Sequence, residues 1–370
     1  MSLQKDDWVE IKNIGEVVSG STPKTTNESY WGGENKWITP AELSSNTYVI
    51  TKTDRYLTDE GVKSCSLRKL PKDTVLLTSR APIGKVAIAG TEMYCNQGFK
   101  NIICNEKIRP KYLFYLLKNN VRYLEYLGRG ATFKEISKSI VENVKIPLFP
   151  LQDQDRFIEF AEQIDKSKFL LQQILKKLEL LKKSRFIEMF KNSETLRLDQ
   201  IAEVTMGQSP DSSSYNSVGK GIPFYQGKTE FTDKYIGQPS TWCTSPTRIA
   251  KENDILMSVR APVGNVNIAT EECCIGRGLS SIRPQNGFNS EFIFEALEQK
   301  KEELENKATG STFKAINKDI VLSIQIPNTS ISIQKEYSNF VKQIEKSKFN
   351  VFQDQTAAQV KVIVVLHHIC

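Results

Sequence analysis

The chain has 370 residues, 39% of them hydrophobic and 25% charged, a composition of globular proteins that leaves room for two or three domains, each with its own core. Lys and Arg number 50 against 43 Asp and Glu, a net charge of +7, which permits a polyanionic partner without demanding one. The only two histidines, His367 and His368, stand at the C-terminal end, so a Ser–His–Asp triad, a Cys–His pair or a His-based zinc site is excluded from the body of the fold.

No apolar run reaches the 18 residues of a membrane span, and MSLQKDDWVE lacks the basic and apolar regions of a signal peptide. A soluble, cytoplasmic chain with no membrane partner is expected. Its 7 cysteines form no CxxC pair, which reads as buried or free thiols.

In chain order, the first element is the apolar-polar run Val9–Val17, followed by a Gly20-x-x-Pro23 loop. The runs at 75–78 and 86–88, rich in Val, Leu and Ile, predict two strands joined by an Arg80-Ala-Pro-Ile-Gly84 turn. A short helix over 110–117 follows. Gly130-Ala131-Thr132 then leads into another helical turn, with Thr132 as its N-cap and Phe133 as a core residue.

Residues 151–190 differ in character. Phe160, Ile164, Ser167, Leu171, Ile174, Leu178, Leu181 and Arg185 are spaced alternately by four and three, a heptad seam on a helix of about 35–40 residues. Lys176, Lys177, Lys182 and Lys183 fall off that seam. So long a helix needs a partner, and Phe340, Ile344, Ser347 and Val351 supply a matching start.

The second half repeats the first. Leu196–Val204 and Gly207-x-x-Pro210 echo Val9–Val17 and the Gly20 loop at an offset of 187. From Arg260-Ala-Pro-Val-Gly264 onward the offset is 180: Gly278 matches Gly98, Gly310-x-Thr-Phe313 matches Gly130-x-Thr-Phe133, and Lys346-Ser-Lys-Phe349 matches Lys166-Ser-Lys-Phe169. The seven-residue slip falls where residues 24–70 and 211–250 share almost nothing. The organisation is a first module at 1–150, a central helix at 151–192, a second module at 193–329 and a C-terminal helix at 330–370, an α+β chain with a pseudo-two-fold internal repeat.

Enzyme signatures are missing. Gly20–Thr25 lacks the second glycine of a Walker A loop, Gly128-Arg129-Gly130 has no Rossmann spacing after it, and the Asn-Pro-Pro-aromatic tetrapeptide of amino-methyltransferases does not occur. No carboxylate pair recurs in both copies. What recurs is Gly, Pro, Arg, Thr, Phe and Lys, a set for turns and anion contacts.

These motifs, in this order and given twice, resemble the specificity (S, HsdS) subunits of type I restriction–modification systems over residues 8 to about 350. Ile146-Pro-Leu-x-Pro-Leu151 followed by Gln154 also matches the start of that family's helix. The resemblance implies two tandem target recognition domains, each followed by a long helix, the two helices pairing as an antiparallel coiled-coil spacer. It further implies sequence-specific reading of a split, asymmetric site on double-stranded DNA. Two methyltransferase (M) subunits would methylate adenine with S-adenosylmethionine, and restriction (R) subunits using ATP and Mg can join. The chain itself would be non-catalytic, with no cofactor or metal of its own.

On that reading, positions shared by both copies grip the backbone: Arg80, Arg260, Lys134 and Lys314. A salt bridge locking the turn is the alternative for the two arginines. Unshared positions specify the bases: Thr39, Gln226 and Lys228, with Lys24, Arg55 and Arg248. The seam comprises Phe160, Ile164, Leu171, Ile174, Leu178 and Leu181 against Phe340, Ile344 and Val351. One departure stands out: Asp354, Ala358 and Lys361 replace the seam, and the β-branched tail at 360–370 suits an exposed helix poorly, as a frameshifted or partner-packed end would. A stand-alone duplicated DNA-binding or scaffold protein is the alternative function, and a nuclease the third class.

Overall fold

The computed structural model describes residues 8–44, 47–80, 82–128, 134–309 and 314–369, with the side chains of 354–369 excepted. The Gly-x-Thr-Phe segments, including Phe133, Phe313 and the cap at Thr132, lie outside the described residues, as do the side chains of Asp354, Ala358 and Lys361. The chain divides into two compact units, residues 1–171 with 353–370, and residues 172–352.

In the first module a five-stranded sheet runs in the order Gly15–Ser19, Lys100–Cys104, Val75–Leu77, Val86–Ala89, Val49–Ile50. A three-stranded sheet has the order Arg55–Leu57, Trp31–Ile38, Tyr94–Cys95. The strands Val75–Leu77 and Val86–Ala89 are buried throughout, as continuous apolar runs covered on both faces should be. The helix Pro110–Asn119 starts on a proline at its first turn, where no backbone donor is lost, and buries all of Tyr112–Leu117 against this sheet.

The second module has a four-stranded sheet, Ala202–Met206, Leu279–Pro284, Ile255–Ser258, Val266–Ile268. Its other sheet has the order Tyr215–Asn216, Trp242–Cys243, Ile222–Tyr225, Cys273–Ile275, Ile249–Ala250. The adjacent Cys273 and Cys274 are strand residues, and burial pushes the Cys273 thiol up to about 12. All described cysteines are free thiols.

The repeat is visible in hydrogen-bond register. Trp8 faces Pro147 as Thr195 faces Pro327, so in each module a first strand is closed onto a last one. Val17 faces Ile102 as Val204 faces Ile282, and Val75 faces Ile88 as Ile255 faces Ile268. The frame also holds inside the divergent insert: Trp37 pairs in parallel with Tyr94 just as Phe224 does with Cys274. Tyr48 O accepts from Ile88 N where Lys234 O accepts from Ile268 N, a shift of one residue. Most of the slip therefore lies later. Leu57 precedes Leu70 by 13 positions, whereas their counterparts Cys243 and Ala250 are 7 apart. The first module fills the difference with the six-residue helix Asp59–Ser64, N-capped by Thr58 onto Gly61 N.

The Arg-Ala-Pro-x-Gly turns are superposable in chemistry. Thr78 Oγ1 donates to Pro82 O and Ser258 Oγ to Pro262 O, both at 2.7 Å. Gly84 and Gly264 close them at φ +89° and +83°, a conformation that favours glycine.

Two long helices complete the chain, Leu151–Phe190 and Ile331–Ile369. Each is anchored to its own module by a buried glutamine. Gln154 accepts from Arg109 N and donates to Lys107 O and Phe149 O, and Gln334 does the same with Asn289 N, Gly287 O and Thr329 O. Phe157 and Ala161 join the first core, Tyr337 and Val341 the second. Within residues 172–352 the helices pair antiparallel. Arg185 meets Glu336, Tyr337 OH donates to Lys182 O, and further along Glu179 meets Lys348.

The inward face corrects the expected seam at alternate positions. Ile164 and Ile344 are buried, and Leu171, Leu178 and Val351 are half-buried, as are Phe160 and Phe340. Ile174 and Leu181 are exposed, at 43% and 48%. The residues turned inward are one later, Leu175 and Lys182. Lys182 holds this place, although its type suggested the outside, because its ammonium reaches buried Glu295 at 3.2 Å while its stem lies along the helix pair. The backbone of the unusual tail is helical to Ile369.

Candidate nucleic-acid interface

In the second module four segments that are far apart in sequence are knitted together by backbone hydrogen bonds. Gln208 N donates to Ile275 O, Ile275 N to Arg248 O, Gly276 N to Tyr225 O, and Gly278 N to Gln226 O. Thr247 Oγ1 donates to Gln208 O, and Arg277 N to Ser209 Oγ. The glycines permit this closeness: a Cβ on Gly278 would lie 2.5 Å from Gln226 O, and one on Gly276 2.9 Å from Gln226 Cα. The Gly207–Pro210 loop, Gln226, Arg248 and the Gly276-Arg277-Gly278 turn thus form one surface, on which the side chains of Gln226, Arg248 and Arg277 are exposed. Lys228 is exposed two residues beyond. Tyr225 beneath donates to Gly237 O at 3.1 Å, and burial raises its phenol above the ordinary value.

The first module builds the same hub with different side chains. Ser21 N donates to Cys95 O and Asn96 N to Ile38 O. Gln97, in the place of Arg277, is exposed and hydrogen-bonded to Thr22 of the Gly-x-x-Pro loop. Thr39, in the place of Gln226, caps the turn Pro40–Glu42: its N and Oγ1 both donate to Glu42 Oε1, at 2.7 and 3.0 Å. Its hydroxyl is thereby committed locally. Lys24 is exposed, and its carbonyl accepts from Trp31 Nε1 at 3.3 Å. Arg55 is exposed with its guanidinium carbon 3.6 Å from the Trp31 ring centre.

The two shared arginines differ. Backbone pairing sets Arg80 opposite Glu135 and Arg260 opposite Ala315. Arg80 consequently lies 4.0 Å from the Glu135 carboxylate, which also holds Lys100 at 3.3 Å. Arg260 has no carboxylate partner among the described residues. Lys134 and Lys314 are both exposed.

Ion pairing divides the described arginines usefully. Arg68, Arg109, Arg156, Arg185, Arg197 and Arg283 are tied to carboxylates at 2.7–3.3 Å. Arg55, Arg122, Arg248, Arg260 and Arg277 have no carboxylate partner among the described residues, and all but Arg122, on the helix Val121–Leu127, belong to the strand end, loops and turn just described. Sequence reasoning missed Arg277 and Gln97. The signal was present: they are unlike residues flanked by the matched glycines Gly98 and Gly278. Among the described residues no group of three or more His, Cys, Asp and Glu could hold a metal ion, and no helix is long and apolar enough to cross a membrane.

Comparison with known proteins agrees with this duplicated architecture. A family model described as the type I restriction modification DNA specificity domain matches residues 5–180 and again 191–361. A putative type I restriction enzyme MjaX specificity subunit of Methanocaldococcus jannaschii is 33% identical over 380 residues, 92% of this chain and 87% of that protein. The MjaIX specificity subunit of the same organism is 42% identical over 206 residues, 53% of this chain and about half (48%) of that relative. A solved chain from work on complex assembly and conformational transition of the type I R-M system is similar over 98% of this chain and 95% of its own, with 26% identity and a TM-score of 0.73. The chain belongs to the family of type I restriction–modification specificity subunits and carries two copies of its DNA specificity domain.

Proposed function

We propose that this chain reads a split, asymmetric site on double-stranded DNA, one module to each half, and positions two methyltransferase subunits that methylate adenine within it. One observation carries the reading. Two modules share a backbone frame and a loop hub but place different side chains at equivalent points, exposed Gln97 against exposed Arg277, and half-buried Thr39, held by Glu42, against exposed Gln226. A common frame with unlike polar tips is what two unlike half-sites require.

The chain supplies binding rather than a chemical step. S-adenosylmethionine belongs to the methyltransferase subunits, and ATP with Mg to restriction subunits where these join. A base-resolution methylation map of host DNA, with and without this gene, tests the proposal. A split adenine-methylated motif should vanish on deletion. An unchanged map in cells that express the methyltransferase would refute it.

A further inference from the structure

We propose that Arg55, its guanidinium over the indole of Trp31, reads a guanine in the half-site of the first module; the inference rests on the DNA-recognition reading above. The arrangement is anchored at both ends. Arg55 pairs with Trp37 in the edge strand of its sheet, and its carbonyl accepts from Thr53 Oγ1 at 2.9 Å. Its guanidinium carbon lies 3.6 Å from the Trp31 ring centre and 5.3 Å from that of Trp37. The two indoles meet edge to face at 5.1 Å. Each is tied to the Gly-x-x-Pro loop region, Trp37 Nε1 donating to Ser21 O at 3.1 Å and Trp31 Nε1 to Lys24 O at 3.3 Å. The platform is therefore part of the loop hub, not a separate surface cluster.

A stacked guanidinium keeps its charge and its in-plane N–H fork while losing freedom of rotation. Arg55 has no carboxylate partner among the described residues. Glu42, which reaches the residue before Arg55, already accepts from Thr39 through one oxygen and from Asp54 N through the other. What remains is a planar, oriented, unused pair of donors at the exposed edge of a recognition module. Guanine offers the matching pair of acceptors, O6 and N7, in the major groove. Holding the fork in advance reduces the ordering cost of that contact.

The second module lacks the device. Register places Thr241 where Arg55 stands, its carbonyl accepting from Phe224 N at 2.8 Å. Tyr215, which pairs with Cys243 as Trp31 does with Leu57, occupies the position of Trp31 and lies 4.7 Å from Phe224, so the paired rings are kept and the arginine is not. The guanine contact accordingly belongs to one half-site alone.

The test uses the full chain expressed with its methyltransferase subunits, as wild type, Arg55→Lys, Arg55→Gln and Trp31→Leu. Methylation is mapped at base resolution, and binding is measured by competition among duplexes varied at each position. Preference for guanine at one position of one half-site should fall about 10- to 100-fold in Arg55→Lys and Arg55→Gln. The other half-site should be unchanged, and Arg55→Lys, which keeps the charge, should keep the salt dependence. Trp31→Leu should lower the same preference at the same position. Two results overturn the inference: unaltered preference in both Arg55 variants, or affinity lost equally for every sequence, as for a phosphate contact or a purely structural stack. Should the wild type itself have no sequence preference, the DNA-recognition reading fails and this inference with it.

Discussion

Lys111 Nζ lies 2.6 Å from Glu162 Oε1, and 180 residues on the charges are exchanged, with Glu291 Oε2 3.0 Å from Lys342 Nζ. Each pair joins an equivalent helix of a module, Pro110–Asn119 or Ser290–Glu298, to the long helix that follows it. The geometry is common to both copies and the sign is not. A module offered the wrong long helix would meet a like charge, so the reversal favours each module's own helix. The pairs are half-exposed, so each is worth about 0–1 kcal/mol. Lys111→Glu should lower stability by about 1 kcal/mol in denaturant unfolding, and Lys111→Glu with Glu162→Lys should recover part of it. Recovery will be incomplete because Glu162 also accepts from Tyr48 OH at 2.9 Å. Strictly additive losses in the double variant would remove the pairing argument.

Asp254 is a stronger structural point. It is 2% exposed and accepts from Arg283 Nε and Nη2 at 2.9 and 2.8 Å, from Ser281 Oγ at 2.7 Å and from Lys251 N at 2.9 Å. Asp254→Ala leaves a hydroxyl and a backbone donor without this acceptor, and a guanidinium with Glu203, at 3.3 Å, as its remaining carboxylate among the described residues. The expected loss is about 2–4 kcal/mol, reduced from a fully buried pair because Arg283 keeps some solvent. Urea unfolding measures it, and a loss below about 1 kcal/mol would mean that water replaces the carboxylate. The first module has Thr74 at this position, so the effect belongs to the second module only.

The repeat was legible in the sequence because its turns demand particular residues. A Pro followed two positions later by a Gly at positive φ leaves few substitutes, and Gly278 is fixed by the approach of Gln226 O. The divergent insert was legible only as divergent. Its strand frame through Trp37 and Phe224 is held by backbone bonds that tolerate almost any apolar side chain. The seam was half legible. Ile164, Leu171 and Leu178 follow from spacing, but the same spacing selects Ile174 and Leu181 over Leu175 and Lys182, and Lys182 is drawn inward by Glu295, more than 100 residues away. The Arg55–Trp31 stack joins residues 24 positions apart across a strand pair and leaves no periodic trace.

Glu295 gives a pH prediction. It is 2% exposed, and burial raises its pKa above the ordinary 4.5, with Lys182 and Lys234 pulling it back down and Glu345 adding to the rise. Glu298, next to it, is raised by burial as well. The folded chain then holds a proton more tightly than the unfolded one. This contribution favours the fold on the acid side and is lost as pH rises from 4.5 through the raised value. Glu295→Gln cannot titrate. The stability of wild type relative to Glu295→Gln should therefore decline as pH rises above about 4.5 in parallel thermal melts. A difference independent of pH would show that Lys182 cancels the burial effect.

Variants of Gln226 and Lys134 test the proposed division between base reading and general grip. Its backbone is fixed by Gly276 and Gly278, while its amide is exposed and has no partner among the described residues. Gln226→Ala should relax one base position of the second half-site by about 1–3 kcal/mol, whereas Lys134→Ala should weaken all sites alike. Competition binding against singly substituted duplexes distinguishes them. Uniform weakening by Gln226→Ala would reassign it to the backbone.

The two turn arginines should not contribute equally to DNA binding, although the sequence gives them the same place. Each phosphate neutralised contributes about 0.9 to the slope of log K against log salt. Arg260, with no carboxylate partner among the described residues, can contribute in full. Arg80 already faces Glu135 at 4.0 Å and must share it with Lys100. Arg260→Ala should thus reduce the slope by nearly the full value and Arg80→Ala by distinctly less, in titrations of the assembled complex from low to physiological salt. Glu135→Ala should steepen the slope of the wild type, because it releases Arg80 and leaves Lys100 with only Ser79 Oγ, at 3.4 Å, among the described residues. Equal reductions from the two arginine variants, with no change in Glu135→Ala, would show that the Glu135 contact does not survive in the complex with DNA.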